Sequence, residues 1–225
     1  MIRLTSICKE YAIGENELFI ALHNINLTIR EGELISIIGP SGSGKSTLIH
    51  LIGLLEKPTR GIITIKDKDT SSLNDDEISK IRNEFVGFVF QQFNLINKLT
   101  ILENILLPTI YAKNRLKYSP VEKAMDLIKK FGLLGKENSY PNKISGGQQQ
   151  RTAIARALVM KPLLLLADEP TGNLDTKTGK DILNLLLNLN REEKLTIIIV
   201  THDPSIAKLT KRKIRLVDGR MVAKF

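Results

Sequence analysis

Apolar side chains along this chain fall into two rhythms. Ile25, Leu27 and Ile29 alternate with Asn26 and Thr28, the two-residue period of a strand wet on one face. Leu34, Ile35, Ile37 and Ile38 form a nearly continuous run, as in a strand covered on both faces of a parallel sheet. Strands are predicted at 2–7, 24–29, 34–38 and 62–65, punctuated by Gly32, Gly39 and Gly61, and a further strand-like run occupies 86–90. Two kinds of sheet are therefore expected side by side. From Thr100 to about Lys161 the period lengthens, which predicts helices at 101–111, at 120–131 with Pro120 near its start, and at 147–160, joined by loops at 113–119 and 132–143. Strand runs return at 163–167 and 196–200 around a helical stretch at 179–190, the order of a strand, helix, strand unit. A last hairpin turns at Asp218-Gly219.

With no repeat, low-complexity tract or flexible linker, 225 residues predict one α/β folding unit. Its expected parts are a mixed, largely parallel sheet flanked by helices, an antiparallel β subdomain and an inserted helical subdomain. The core is assigned to 1–97 and 162–225, the helical insertion to 98–161. Apolar residues at 42% and charged residues at 25% fit a folded chain and exclude extended disorder or a disulfide scaffold. The densest apolar runs, 163–167 and 197–200, are strand-sized, far from the roughly 18–20 residues that span a bilayer. Arg3, Lys9 and Glu10 interrupt the first eleven residues, so a secretory signal is not expected and the cytosol is the default. Cys8 is the one cysteine, expected to be a small buried apolar group. The 33 basic residues exceed the 24 acidic ones by nine, which favours anionic partners without choosing among nucleotide, nucleic acid and lipid. The dense basic segment 208–215 reads first as a solvated helix end leading into a strand.

The strongest chemical signal is Gly39-Pro40-Ser41-Gly42-Ser43-Gly44-Lys45-Ser46, directly after a predicted strand and before the helical stretch that opens at Thr47. Glycines let successive N–H groups and a helix N-terminus face phosphate, while a lysine reaches the β and γ phosphates and a serine ligates magnesium. A plain glycine turn would not need the lysine and serine. Asp168 and Glu169 follow an apolar run and emerge at a strand's carboxyl edge, where open α/β sheets bind ligands. Asp168 is placed to bind magnesium through its water shell, and Glu169 to orient or deprotonate an attacking water. His202 ends the next apolar strand at the same edge and is a candidate for contact with the γ phosphate.

Together with Ser145-Gly146-Gly147-Gln148-Gln149-Gln150-Arg151, these motifs resemble the ATPase subunits of ATP-binding-cassette (ABC) transporters, along essentially the whole chain. Physically, Ser145, Gly146 and Gly147 start a helix able to hold an anion. The resemblance implies a phosphate-loop NTPase core with ATP and magnesium as ligands. It implies that the signature binds ATP held by a second copy, so that two chains enclose two nucleotides as a homodimer. It places Tyr11 against adenine, gives Gln91 contacts to magnesium and the attacking water, and carries Asp175 of Gly172-Asn173-Leu174-Asp175 across the dimer interface. Catalytic roles fall to Lys45, Gln91, Glu169 and His202, and metal contacts to Ser46, Gln91 and Asp168. Ile144, and Gly172-Asn173 in place of the common Ser-Ala, depart from the family pattern, with no expected effect on chemistry.

The stretches 86–95, 103–108 and 170–175 are similar to the lipoprotein-release and macrolide-export branch. That likeness implies an integral membrane permease as partner, a peripheral place on the cytoplasmic face of the inner membrane, and no direct nucleic-acid contact. The alternatives are a soluble ABC ATPase acting on nucleic acid or ribosomes, suggested by the positive charge, and a nucleotide-dependent scaffold that activates a partner. The chain has no second cassette, zinc module or long coiled coil, which are usual among the nucleic-acid-acting relatives.

Overall fold

Two long strands open the chain in the computed structural model, which describes residues 1–14 and 17–222; the expected unit ends at Phe225, outside the described residues. β1 (Ile2–Ile13) and β2 (Glu17–Ile29) pair antiparallel, from Ile2 opposite Ile29 to Ile13 opposite Glu17. Both outrun the predicted strands at 2–7 and 24–29. Register shifts between Leu4 and Glu10 break the two-residue alternation, so the outer half of the hairpin carries no clean period. With β4 (Arg60–Ile65) and β5 (Lys68–Asp69) they form a four-stranded antiparallel sheet of order β2-β1-β4-β5.

The second sheet contains β3 (Leu34–Ile38), β6 (Val86–Val89), β7 (Leu164–Asp168), β8 (Thr196–Thr201), β9 (Arg212–Val217) and β10 (Arg220–Val222), in the order β10-β9-β3-β8-β7-β6. Its pairings are parallel except for the edge hairpin of β9 and β10. The uniform apolar runs now have a physical reason. On β7, Leu164 and Leu166 face the cluster shared with the antiparallel sheet, while Leu165 and Ala167 face the opposite cluster; Ile198 and Val200 divide from Ile197 and Ile199 in the same way on β8. Each such leucine, isoleucine or valine, removed from water, contributes about 1.5–3 kcal/mol.

The first cluster also takes Leu48, Ile49 and Ile52 of α1 (Lys45–Ile52). The second takes Ile182 and Leu186 of α6 (Thr176–Glu193), together with Ile101, Leu127 and Ile154 from the helical segment. Those three belong to α3 (Ile101–Ile110), α4 (Pro120–Lys130) and α5 (Gly146–Leu158), which lie close to the predicted helices. Asn104 of α3 is fully buried, and its amide donates to the carbonyls of Ile96, Leu99 and Thr100 while accepting from Ile96 N, which pins the loop leading into the helix.

One helix was not predicted. α2 (Asp75–Phe85) buries Ile78 and Phe85 and packs the half-buried Ile81 against the first cluster, a narrow i, i+3, i+7 stripe on a mostly charged segment. Its start is marked by a reciprocal capping box between Asn74 and Glu77, a signal present in the sequence. The basic segment beyond α7 (Pro204–Lys208) does lead into β9, as expected. Cys8 is half-buried rather than buried, and its sulfur accepts from the Asn24 N–H.

Candidate functional site

β3 delivers the chain to Gly39 at the carboxyl edge of the parallel sheet, and α1 begins six residues later at Lys45. Between them the backbone turns through left-handed Gly42 (φ +77°) and Gly44 (φ +95°). A Cβ on Gly44 would stand 2.6 Å from the Ala21 carbonyl oxygen, and one on Gly39 would stand 2.1 Å from that of Leu216. Backbone on both sides therefore demands glycine. The Pro40 carbonyl accepts from Ser43 N at 3.3 Å and from the Lys45 ammonium at 2.8 Å, and the Ser43 carbonyl accepts from Gly219 N at 3.1 Å. The Lys45 ammonium thus lies over the loop. Beside Gly39, the Ser43 hydroxyl is buried without a hydrogen-bond partner.

This loop forms one side of a cavity of about 370 Å³. Ser41, Gly42, Gly44, Lys45, Ser46 and Thr47 line it from the loop, with Gln91, Asp168 and Glu169 opposite. Asp168 is the last residue of β7 rather than the first beyond it. Burial pushes its carboxyl above the usual range and the neighbouring Glu169 adds to this, while His50, a hydrogen bond from Ser46 and the charge of Lys45 oppose them. A half-buried carboxylate, a serine hydroxyl and the Gln91 amide are all oxygen donors, a set that suits magnesium sharing its shell with phosphate oxygens and water. No group of three His, Cys, Asp or Glu suited to a metal occurs among the described residues. A larger cavity, about 500 Å³, lies between β4 and α2 and contains none of the phosphate-loop residues.

Glu169 stands just past the strand with φ +47°, a left-handed conformation that costs a residue with a Cβ. Its N–H donates to the Val200 carbonyl at 3.0 Å, locking the exits of β7 and β8 together. Its carboxylate accepts from His202 N at 3.1 Å and lies 2.7 Å from His202 Nδ1. The base candidate and the histidine are therefore in direct contact, with the imidazole largely exposed.

Gln91 follows β6, whose last residue is Val89 rather than the predicted Phe90; Phe90 instead stacks on Phe88 with ring centroids 5.5 Å apart. Here the sequence reading missed something. A Cβ on Gly172 would stand 2.8 Å from Gln91 Nε2, and the Asn173 amide donates to the Gln91 carbonyl at 2.9 Å. The Gly172-Asn173 departure, expected to be neutral, thus abuts a candidate site residue. Gln150 was also missed: its buried amide donates to the Pro170 carbonyl at 2.6 Å and ties α5 to the segment after Glu169.

Ser145 is the N-cap of α5. Its hydroxyl accepts from Gln148 N, and the Gln148 side chain accepts from Ser145 N at 3.0 Å. Ser145 is exposed, and neither it nor Gly146 nor Gly147 lines the phosphate-loop cavity. Gly147 packs against α6, where a Cβ would meet Thr178 Cγ2 at 2.4 Å. Asp175 caps α6 by accepting from Lys177 N and Thr178 N at 3.1 and 3.0 Å. Tyr11 is also absent from the cavity lining, which instead includes Phe19, its direct partner across the β1–β2 ladder. The Tyr11 hydroxyl donates to Glu56 at 2.6 Å. The phosphate loop, Gln91, Asp168 and Glu169 line one cavity, His202 joins it through Glu169, and the signature and Asp175 are not in its lining.

Known proteins resemble this chain along its whole length. Residues 22–172 match the family model described as ABC transporter. The chain is 51% identical over 225 residues to the uncharacterized ABC transporter ATP-binding protein MJ0796 of Methanocaldococcus jannaschii, covering 98% of this chain and 95% of that one. It is 42% identical to the lipoprotein-releasing system ATP-binding protein LolD 1 of Rhodopseudomonas palustris, with 98% of each covered. It is 45% identical to the macrolide export ATP-binding/permease protein MacB of Chlorobaculum tepidum, where 99% of this chain spans 34% of the longer protein. The solved dimeric post-hydrolysis state of MJ0796 bound to ADP and Pi superposes with a TM-score of 0.88 at 48% identity, covering 100% of both chains.

Proposed function

This chain belongs to the ABC transporter family as an ATP-binding and ATP-hydrolysing cassette, and we propose how its residues divide that work. The phosphate-loop N–H groups, the α1 N-terminus and Lys45 hold the β and γ phosphates, with Gly39, Pro40, Ser41, Gly42, Ser43, Gly44 and Thr47 shaping the cradle. Ser46, Gln91 and Asp168 would hold magnesium, which supplies neutralisation of phosphate charge. Gln91 and Glu169 orient a water in line with the γ phosphorus. As its oxygen bonds to phosphorus and the bond to the β-phosphate oxygen breaks, Glu169 takes the water's proton. His202 fixes the Glu169 carboxylate and lies within reach of the γ phosphate. Tyr11 carries the adenine.

Ser145, Gly146 and Gly147 present the α5 N-terminus to the γ phosphate of a second copy, and Asp175 lies at the same contact. The exposed Ser145 cap, which starts α5 and does not line its own chain's cavity, is the observation that carries this reading, because a helix N-terminus facing outward suits an anion brought by a second copy. ATP therefore favours a closed homodimer because it binds that state better than two separate chains, and hydrolysis removes the preference. Residues 98–161 act as a helical subdomain that passes closure to a membrane permease, with the cassette on the cytoplasmic face of the membrane. The names of the LolD and MacB relatives support an export or extraction role and give no support to the nucleic-acid alternative.

Replacing Glu169 with Gln tests the arrangement. With ATP and magnesium, light scattering after size exclusion should find a dimer that turns over at least about a hundredfold more slowly than the native chain. A variant that binds ATP and stays monomeric overturns the shared site.

A further inference from the structure

We propose that Glu56 is a positioning residue for the nucleotide base, acting by fixing the ring of Tyr11; this rests on the reading of Tyr11 as the adenine platform. Glu56 lies in the loop after α1, with no role in any helix or strand. One of its carboxylate oxygens accepts from the Tyr11 hydroxyl at 2.6 Å and meets the Lys9 ammonium at 3.1 Å. The other lies 3.3 Å from His50 Nδ1. Burial raises its carboxyl, but hydrogen bonds from Tyr11, Lys9 and His50 outweigh this and hold it below the usual range. A carboxylate is the side chain able to accept from all three at once.

This contact settles the placement of the ring. Tyr11 is half-exposed on a strand, where its side chain would otherwise sample several rotamers. Lys9 stands over the ring at 5.0 Å from its centroid, and is itself held by Glu56 and by the Lys57 carbonyl at 2.9 Å. Glu56 thus fixes the edge of the ring through the hydroxyl and one face through the cation, which leaves the opposite face as the platform. Burial and Glu56 push the pKa of the Tyr11 hydroxyl up, while the Thr47 side chain acts on it as well and lowers it, so the fixed ring adjoins the first turn of the phosphate-loop helix. Losing a preset ring means ordering it at each binding event, a cost of roughly three- to tenfold in affinity.

Affinities for ATP and for inorganic triphosphate, which has no base, are to be measured by competition for the native chain, Glu56→Leu, Glu56→Gln, Tyr11→Phe, Tyr11→Ala and the Tyr11→Phe/Glu56→Leu double variant. Glu56→Leu and Tyr11→Phe should each weaken ATP about three- to tenfold, and the double variant should be no worse than either. Glu56→Gln, which keeps an acceptor, should recover most of the loss. Triphosphate affinity should not move, and in turnover Glu56→Leu should raise KM and spare kcat. Equal weakening of triphosphate would mean that Glu56 merely supports the loop, and overturns the proposal. So would native ATP affinity in Tyr11→Phe when Tyr11→Ala is weak. Native ATP affinity in Tyr11→Ala would instead overturn the platform reading itself.

Discussion

The side-chain amide of Asn173 donates to the backbone carbonyl of Gln91 at 2.9 Å, so the turn before α6 anchors the segment that follows β6. The neighbouring Gly172 leaves no room for a side chain, because a Cβ there would lie 2.8 Å from the Gln91 amide nitrogen. The atom in the way is the far end of a flexible side chain, which can swing aside at little cost to folding. Gly172→Val, bulkier than the serine common in the family, should therefore leave the melting temperature within about 2–4 °C of the native value, a shift worth no more than about 1 kcal/mol. Turnover should fall by about ten- to a hundredfold through a misplaced Gln91, with ATP affinity largely kept. Steady-state kinetics beside equilibrium nucleotide binding separate the two effects; unchanged kcat would show that the Gln91 amide is not needed where it stands.

Gly44 presents the opposite case. Its φ of +95° and the Ala21 carbonyl 2.6 Å from any Cβ put backbone in the way, with Leu22 Cδ2 at 2.9 Å beside it. Gly44→Ala should cost at least about 1–2 kcal/mol from the left-handed conformation alone. ATP binding should weaken together with stability, as read from urea midpoints and nucleotide titration. A native midpoint would mean that the loop relaxes freely.

Asp175 gives a pH signature. Hydrogen bonds from the Thr178 side chain, then from the Thr178 and Lys177 N–H groups, hold its carboxyl below the usual range. Its folded value lies under its unfolded value, so the stabilisation is complete above the unfolded value and is lost as pH falls through the folded one. Asp175→Asn keeps a cap acceptor without the titrating group. Its stability, relative to the native chain, should therefore improve as pH falls through that window. Parallel pH series of urea unfolding check this, and identical slopes would show that the cap does not depend on ionisation.

What could be read from the residues was what local order determines. The phosphate loop, Asp168 and Glu169 at a strand exit, His202 beside them and the Ser145 cap all lie within a few positions of the pattern that marks them. The missed features depend on distant partners or on weak stripes. Phe19 reaches the cavity through its pairing with Tyr11 across the β1–β2 hairpin, which its own local pattern does not signal. Gly172 matters because Gln91, eighty-one positions earlier, packs against it. α2 carries only a three-residue apolar stripe, Ile78, Ile81 and Phe85, and the Asn74 and Glu77 capping pair marks its start.

The hairpin of β9 and β10 sits behind the phosphate loop, with Gly39 against the Leu216 carbonyl and Gly219 N–H donating to the Ser43 carbonyl. An outward bond of that kind fixes the direction of a peptide dipole. It turns an oxygen that would repel an anion toward protein and leaves the loop's positive edges for the ligand. The sign of the potential in the cradle is thus set partly from a segment about 175 residues downstream, and altering that hairpin should change anion affinity with every motif residue intact.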